Sequence, residues 1–97
     1  MKVSLVIPTY NNLRHIKNTY NSVRKYYKDI EMVIINDGST DNTSEWLEAL
    51  EDNNVIKINS KERKGHTFFY DEGMRQATNE IVGIMHSDMI IGPNYIE

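Results

Sequence analysis

Four short runs of aliphatic and β-branched residues, separated by longer segments of helical periodicity, constrain this chain more than any other feature. Val3 to Ile7, Met32 to Ile35, Val55 to Ile58 and Ile81 to Met85 show little polar alternation, the pattern of strands buried on both faces of a parallel sheet. Between the first two runs, Leu13, Ile16, Tyr20, Val23 and Tyr27 recur at spacings of three and four, with Arg14, Lys17, Asn21 and Lys25 mostly off that stripe. The spacing predicts an amphipathic helix opened by Asn11 or Asn12. Asn42 to Glu45 has the Asx-x-x-Glu form of a capping box ahead of Trp46, Leu47 and Leu50, and Asp52-Asn53-Asn54 ends that helical pattern. A third helix is predicted over roughly 67–78, where Gly73 costs about 1 kcal/mol relative to alanine.

The resulting β-α-β-α-β-α-β order, with right-handed crossovers, predicts a single domain over residues 1–97: a three-layer α/β/α fold built on an open, largely parallel, doubly wound sheet. Such sheets bind ligands beyond the carboxyl ends of their strands. Three polar clusters fall there: Pro8-Thr9-Tyr10-Asn11, Asn36-Asp37-Gly38-Ser39-Thr40-Asp41 and His86-Ser87-Asp88.

Composition removes several function classes. A formal net charge of −3 speaks against a nucleic-acid surface, which meets phosphates with a basic patch. With no cysteine there is no disulfide, thiolate nucleophile or cysteine zinc site, and a reducing cytoplasm is compatible. The apolar run ending at Pro8 is too short for a signal h-region or a membrane span. The expected location is therefore cytoplasmic, with any membrane association carried by regions outside this chain.

Neither a G-x-G-x-x-G loop nor a G-x-x-x-x-G-K-[ST] loop occurs, so dinucleotide and P-loop readings have no support. Asp37-Gly38 reads structurally as a turn, with Asp41 or Asn42 as a helix cap, and a ligand-facing carboxylate is compatible with that role. His86-Ser87-Asp88 ends an apolar strand where an oxygen ligand could reach a hard divalent cation. Mg2+ or Mn2+ on a diphosphate needs only one or two protein carboxylates, because substrate oxygens and water complete its shell. Lys61, Arg63 and Lys64 form a charge run after the third strand; such runs are usually solvated.

Taken together these motifs resemble glycosyltransferase family 2, inverting enzymes of the GT-A fold that use nucleotide-diphospho-sugars. Pro8-Thr9-Tyr10-Asn11 matches the family's Pro-Thr-Tyr-Asn, and Asn36 to Asp41 matches its Asp/Asn-Asp-Gly-Ser-Thr-Asp. The resemblance implies a nucleotide-sugar site formed by Pro8, Thr9, Tyr10, Asn11, Asp37, Gly38, Ser39, His86 and Ser87. In it Asp37 accepts a hydrogen bond from the base, typically uracil N3–H, and Asp88 holds Mn2+ or Mg2+. The family's Asp-x-Asp reads His86-Ser87-Asp88, keeping only the last carboxylate. Its Arg-Asn-x-Gly aligns with the segment ending in Asp71-Glu72-Gly73, with Asp71 in place of Asn. It also implies a basic residue near the nucleotide, for which Lys61, Arg63 and Lys64 are candidates.

The activity so implied is transfer of a sugar, UDP-linked by family habit, to a hydroxyl of a carbohydrate, lipid or protein acceptor. The general base lies downstream of the Asp-x-Asp in this family, and the only carboxylate after Asp88 is Glu97. Gly92 to Glu97 reads as the opening of a further helix, so the chain is expected to be the donor-binding fragment of a longer catalytic domain, inactive in transfer alone. Two alternatives compete. A nucleotidyltransferase would open with a glycine-rich basic loop, absent after Ile7; a catalytically inert nucleotide-binding or interaction module on the same fold draws on the incomplete Asp-x-Asp.

Overall fold

The computed structural model describes residues 3–79 and 81–84. Its elements run β1 (Val3–Thr9), α1 (Leu13–Tyr26), β2 (Glu31–Asp37), α2 (Thr43–Ala49), β3 (Val55–Ser60), α3 (His66–Gln76) and β4 (Ile81–Ile84). All pairings are parallel, in the order β3-β2-β1-β4. β1 and β2 each extend two residues past the apolar runs, because their pairing continues through Pro8↔Ile35 and Thr9↔Asn36. Pro8, Thr9, Asn36 and Asp37 are therefore strand residues, although their polar character alone predicts loops.

Strand alternation sends successive side chains to opposite faces, and two helical layers use both. Val3, Leu5, Ile7, Met32 and Ile34 pack with Ile16 and Val23 of α1 and Leu47 of α2. On the other face Val6, Val33 and Ile35 pack with Phe69 of α3. Ile7, Ile34, Val33 and Ile35 are wholly excluded from solvent. Each such side chain contributes about 1.5–3 kcal/mol by its burial. Gly73, which weakens α3 as an isolated helix, lies where that helix crosses β1: a Cβ there would run into Val6 and press on Ile35. The helix-propensity cost is offset by the close approach.

Of the two expected caps of α2, the one at Asp41 forms and the Asn42–Glu45 capping box does not. Asn42 occupies the N-cap of α2 without a side-chain bond, so the expected capping box does not form. Asp41 replaces it, its Oδ1 accepting from Thr43 N at 3.0 Å and from Thr43 Oγ1 at 2.5 Å. At the other end of α2, Lys57 Nζ donates to the carbonyls of Glu48 and Leu50 at 3.3 and 2.6 Å.

The amino edge of the sheet is closed by two polar networks, a part-buried ion pair around Arg24 and Asp52 and a hydrogen-bonded cluster around the buried Glu31. Arg24, near the end of α1, donates Nε to Asp52 Oδ2 at 2.6 Å and its remaining nitrogens to the carbonyls of Tyr27, Ile30 and Asn54. One planar guanidinium thus ties the end of α1, the start of β2 and the turn before β3. Tyr20 donates to the same Asp52 oxygen at 2.7 Å; burial and that bond push its phenol above the usual range. For Asp52, burial works to raise the carboxyl, but the bonds from Arg24 and Tyr20 outweigh it and hold it low. Across the sheet, Glu31 receives Ser4 Oγ at 2.8 Å, Thr78 N at 2.8 Å and Thr78 Oγ1 at 2.6 Å. There too burial opposes ionisation, and the bonds from Thr78 and Ser4 prevail.

Candidate functional site

At the carboxyl edge the exits of β1 and β2 are joined to each other. Asn11 adopts a left-handed backbone with φ of 48°, a conformation asparagine tolerates better than most residues. In that pose its N–H donates to Ser39 Oγ at 2.9 Å, while its Oδ1 accepts from Thr40 N at 2.7 Å and Asp41 N at 3.3 Å. Asp41 Oδ2 also accepts from Leu13 N at 3.4 Å, at the opening of α1. Burial works to raise the Asp41 carboxyl, but its bonds from Thr43 and Leu13 leave it below the ordinary range. The Pro8–Asn11 and Asn36–Asp41 motifs are therefore one hydrogen-bonded rim.

Adjacent residues of β2 divide that rim between the two faces. Asn36 turns toward α2: its Nδ2 donates to Asn59 Oδ1 at 2.7 Å, and its Oδ1 accepts from Ser39 N at 3.0 Å. Asn59 in turn donates to Ser44 Oγ and Glu48 Oε1, both at 2.9 Å. These side chains, with Ser60 and Lys61, line a polar cavity of about 350 Å³.

Asp37 faces the α3 side and is completely buried. Its Oδ1 accepts from Lys64 N at 2.6 Å and its Oδ2 from Gly65 N at 3.1 Å, fastening the loop after β3 over the end of β2. Gly38 follows with φ of 68°, and a Cβ there would collide with the backbone of Glu62 and Arg63. Glycine is required on both counts. Above this point the Arg63 guanidinium lies 4.0 Å from the centroid of the Tyr10 ring, within the range of a cation–π contact. Lys64 Nζ sits 5.2 Å from the Phe68 ring. The Thr9 hydroxyl, at the end of β1, is buried with no hydrogen-bond partner among the described residues.

The structure thus gathers Pro8, Thr9, Tyr10, Asn11, Asp37, Gly38 and Ser39 on one edge. The charge run after β3 divides: Arg63 and Lys64 lie on the Tyr10 and Asp37 side, Lys61 at the opposite cavity. Asp71 is exposed and pairs with Arg75 at 3.0 Å, one turn along α3. His86, Ser87 and Asp88 lie outside the described residues, as does Met85, the expected end of β4. Among the described residues no three His, Asp or Glu side chains gather as a metal site. No described helix is long and apolar enough to cross a membrane. Sequence reasoning missed the amides of Lys64 and Gly65, which partner Asp37; backbone donors carry no side-chain signature that could have revealed them.

Comparisons with known proteins agree on a family. Residues 4–97 match the model of glycosyl transferase family 2. An uncharacterized glycosyltransferase of Nostoc sp. is 32% identical over 100 residues, covering all of this chain and 31% of the relative. Staphylococcus aureus TarS superposes with a TM-score of 0.79 at 29% identity, over 91% of this chain and 28% of TarS. TarS has also been solved with UDP and with UDP-GlcNAc. The mannosyltransferase PcManGT of Pyrobaculum calidifontis, in complex with GDP-Man and Mn2+, superposes with a TM-score of 0.77 at 27% identity, over 91% of this chain and 28% of that protein. The chain spans a third or less of the length of the curated relatives it matches. These neighbours share the GT-A fold expected from the motifs, and none of them favours an inert module.

Proposed function

Because this chain belongs to glycosyl transferase family 2, we propose that it forms the donor-binding part of an enzyme that moves a sugar from a nucleoside diphosphate to an acceptor hydroxyl, with inversion at the anomeric carbon. UDP is the proposed carrier. The observation that carries the reading is the bonded rim itself: Asn11 to Ser39 and Thr40 brings the Tyr10 ring and the Asp37 carboxylate to one edge beside Arg63. An aromatic face and a fixed carboxylate are the two elements needed to seat a flat base and to read one of its N–H groups.

Each residue has a proposed task. Tyr10 offers its ring to the base, and Asp37 accepts from the base N–H. Thr9, Asn11, Gly38 and Ser39 shape the rim; Pro8 lies in the strand just below it. His86 and Ser87 contact the donor, and Asp88 is the proposed ligand of a divalent ion. The solution of PcManGT with Mn2+ supports including the ion; when bound to a diphosphate, such an ion neutralises charge on the leaving group. The acceptor and its general base are not assigned to residues of this chain.

Calorimetric titration with UDP tests the reading, with and without Mn2+ and with GDP as a competing nucleotide. UDP binding that strengthens with Mn2+ and falls in Asp37→Ala supports it. Metal-dependent affinity that persists in Asp88→Ala would remove Asp88 as the ligand. Tighter binding of GDP than of UDP would replace the proposed carrier.

A further inference from the structure

The loop between β3 and α3 holds both features that the proposed base site would use. Asp37 has one hydrogen bond from the loop on each carboxylate oxygen, from Lys64 N and Gly65 N, and no solvent-exposed surface. The Tyr10 ring has the Arg63 guanidinium stacked at 4.0 Å, close to the separation at which a planar base stacks. Two further contacts hold the loop in this pose. Ser60 Oγ donates to the Glu62 carbonyl at 2.7 Å and accepts from Glu62 N at 3.3 Å. The glycine at position 38 lets the Glu62–Arg63 backbone rest directly on the turn.

From this we infer that residues 61–65 form a strap that closes the base site in the free protein and is displaced by the arriving nucleotide, Arg63 leaving the Tyr10 ring and Asp37 exchanging loop amides for the base N–H. The inference rests on the donor-site reading above. It adds a resident competitor to that site. The contacts a base would make at Tyr10 and Asp37 replace contacts the strap already makes, so the free energy gained at those two residues is the difference between two similar sets. Arg63 opposes the base through this competition. A nucleoside without phosphates isolates the competition from charge attraction.

The test measures NMR-detected amide exchange of the native polypeptide with and without saturating UDP, and compares uridine and UDP affinities of the native protein and Arg63→Ala. The strap predicts that Lys64 and Gly65 amides lose protection when UDP binds, while the amides of β1 and β2 do not. It also predicts that Arg63→Ala binds uridine roughly two- to five-fold more tightly, the scale of an exposed cation–π contact. UDP binding with the Lys64 and Gly65 amides equally or better protected overturns the strap and leaves the donor site standing. Weaker uridine binding by Arg63→Ala also overturns it. No binding of UDP by either protein removes the donor-site reading, and the strap with it.

Discussion

The two edges of the sheet are built on opposite principles although the same strands supply both. At the amino edge, Arg24, Asp52, Tyr20, Glu31, Ser4 and Thr78 satisfy one another with short bonds, several from residues far apart in the chain. At the carboxyl edge, Asn11 and Gly38 hold left-handed backbone angles, the Thr9 hydroxyl is buried with no partner among the described residues, and an arginine rests on a ring. A left-handed asparagine and a buried hydroxyl with no partner among the described residues are uncommon away from functional positions. One edge fastens the fold, and the other carries the residues of the proposed donor site.

On that division, substitutions at the two edges separate stability from binding. The largest stability loss is expected for Arg24→Ala, about 3 kcal/mol by urea unfolding, because it strips a part-buried carboxylate and three carbonyls of their donor. UDP affinity of the folded Arg24→Ala protein should stay within error; a parallel loss would erase the distinction between edges. Next comes Gly38→Ala, about 2 kcal/mol, from the positive φ and the collision with residues 62 and 63. By unseating the strap, that variant should also bind uridine more tightly than the native protein. A stable Gly38→Ala with normal affinity would show that the loop does not need its seat on the turn.

Acid should act on both edges, through Glu31 and Asp52 at the amino edge and through Asp41 at the carboxyl edge. Glu31 and Asp52 are held below their ordinary range in the folded chain, so the unfolded chain takes up protons first as pH falls. Their stabilisation is full at neutral pH, declines below about pH 4 and is lost as pH passes through the lowered folded values. Glu31→Gln should make the stability curve shallower across that acid range; an unchanged slope would dissociate Glu31 from it. The smallest effect is expected for Asp71→Ala on α3, under about 0.5 kcal/mol, since both members of its ion pair are more than two-thirds exposed.

Sequence carried the elements well because their signals are local. Runs such as Met32 to Ile35 have few alternatives to a buried strand, and the Leu13–Tyr27 stripe has the period of a helix. The placement of Pro8–Asn11 and Asn36–Ser39 on one edge followed from parallel order alone. Partnerships were not legible. Glu31 stands before an apolar run and reads as a surface charge, yet Thr78, 47 positions away, makes it a buried acceptor. Asp41 and Asn42 are equally good caps by residue type, and the geometry of Asn11 across the rim decided for Asp41. Lys61, Arg63 and Lys64 form one charge run in sequence, but the turn at Ser60–Glu62 sends them to different faces.

The strand order has a consequence for how this molecule comes into being. β2 and β3 each pair with the strand made just before them, but the second neighbour of β1 is β4, whose Ile81 lies opposite Val3. During synthesis the inner flank of β1 must wait, unpaired, until nearly all of the described chain has left the ribosome. Closing a loop of that size is the slow, entropically unfavourable event. The flank that waits is also the one beside which the strand order reverses its direction of growth, so that side of the sheet is the last to be completed.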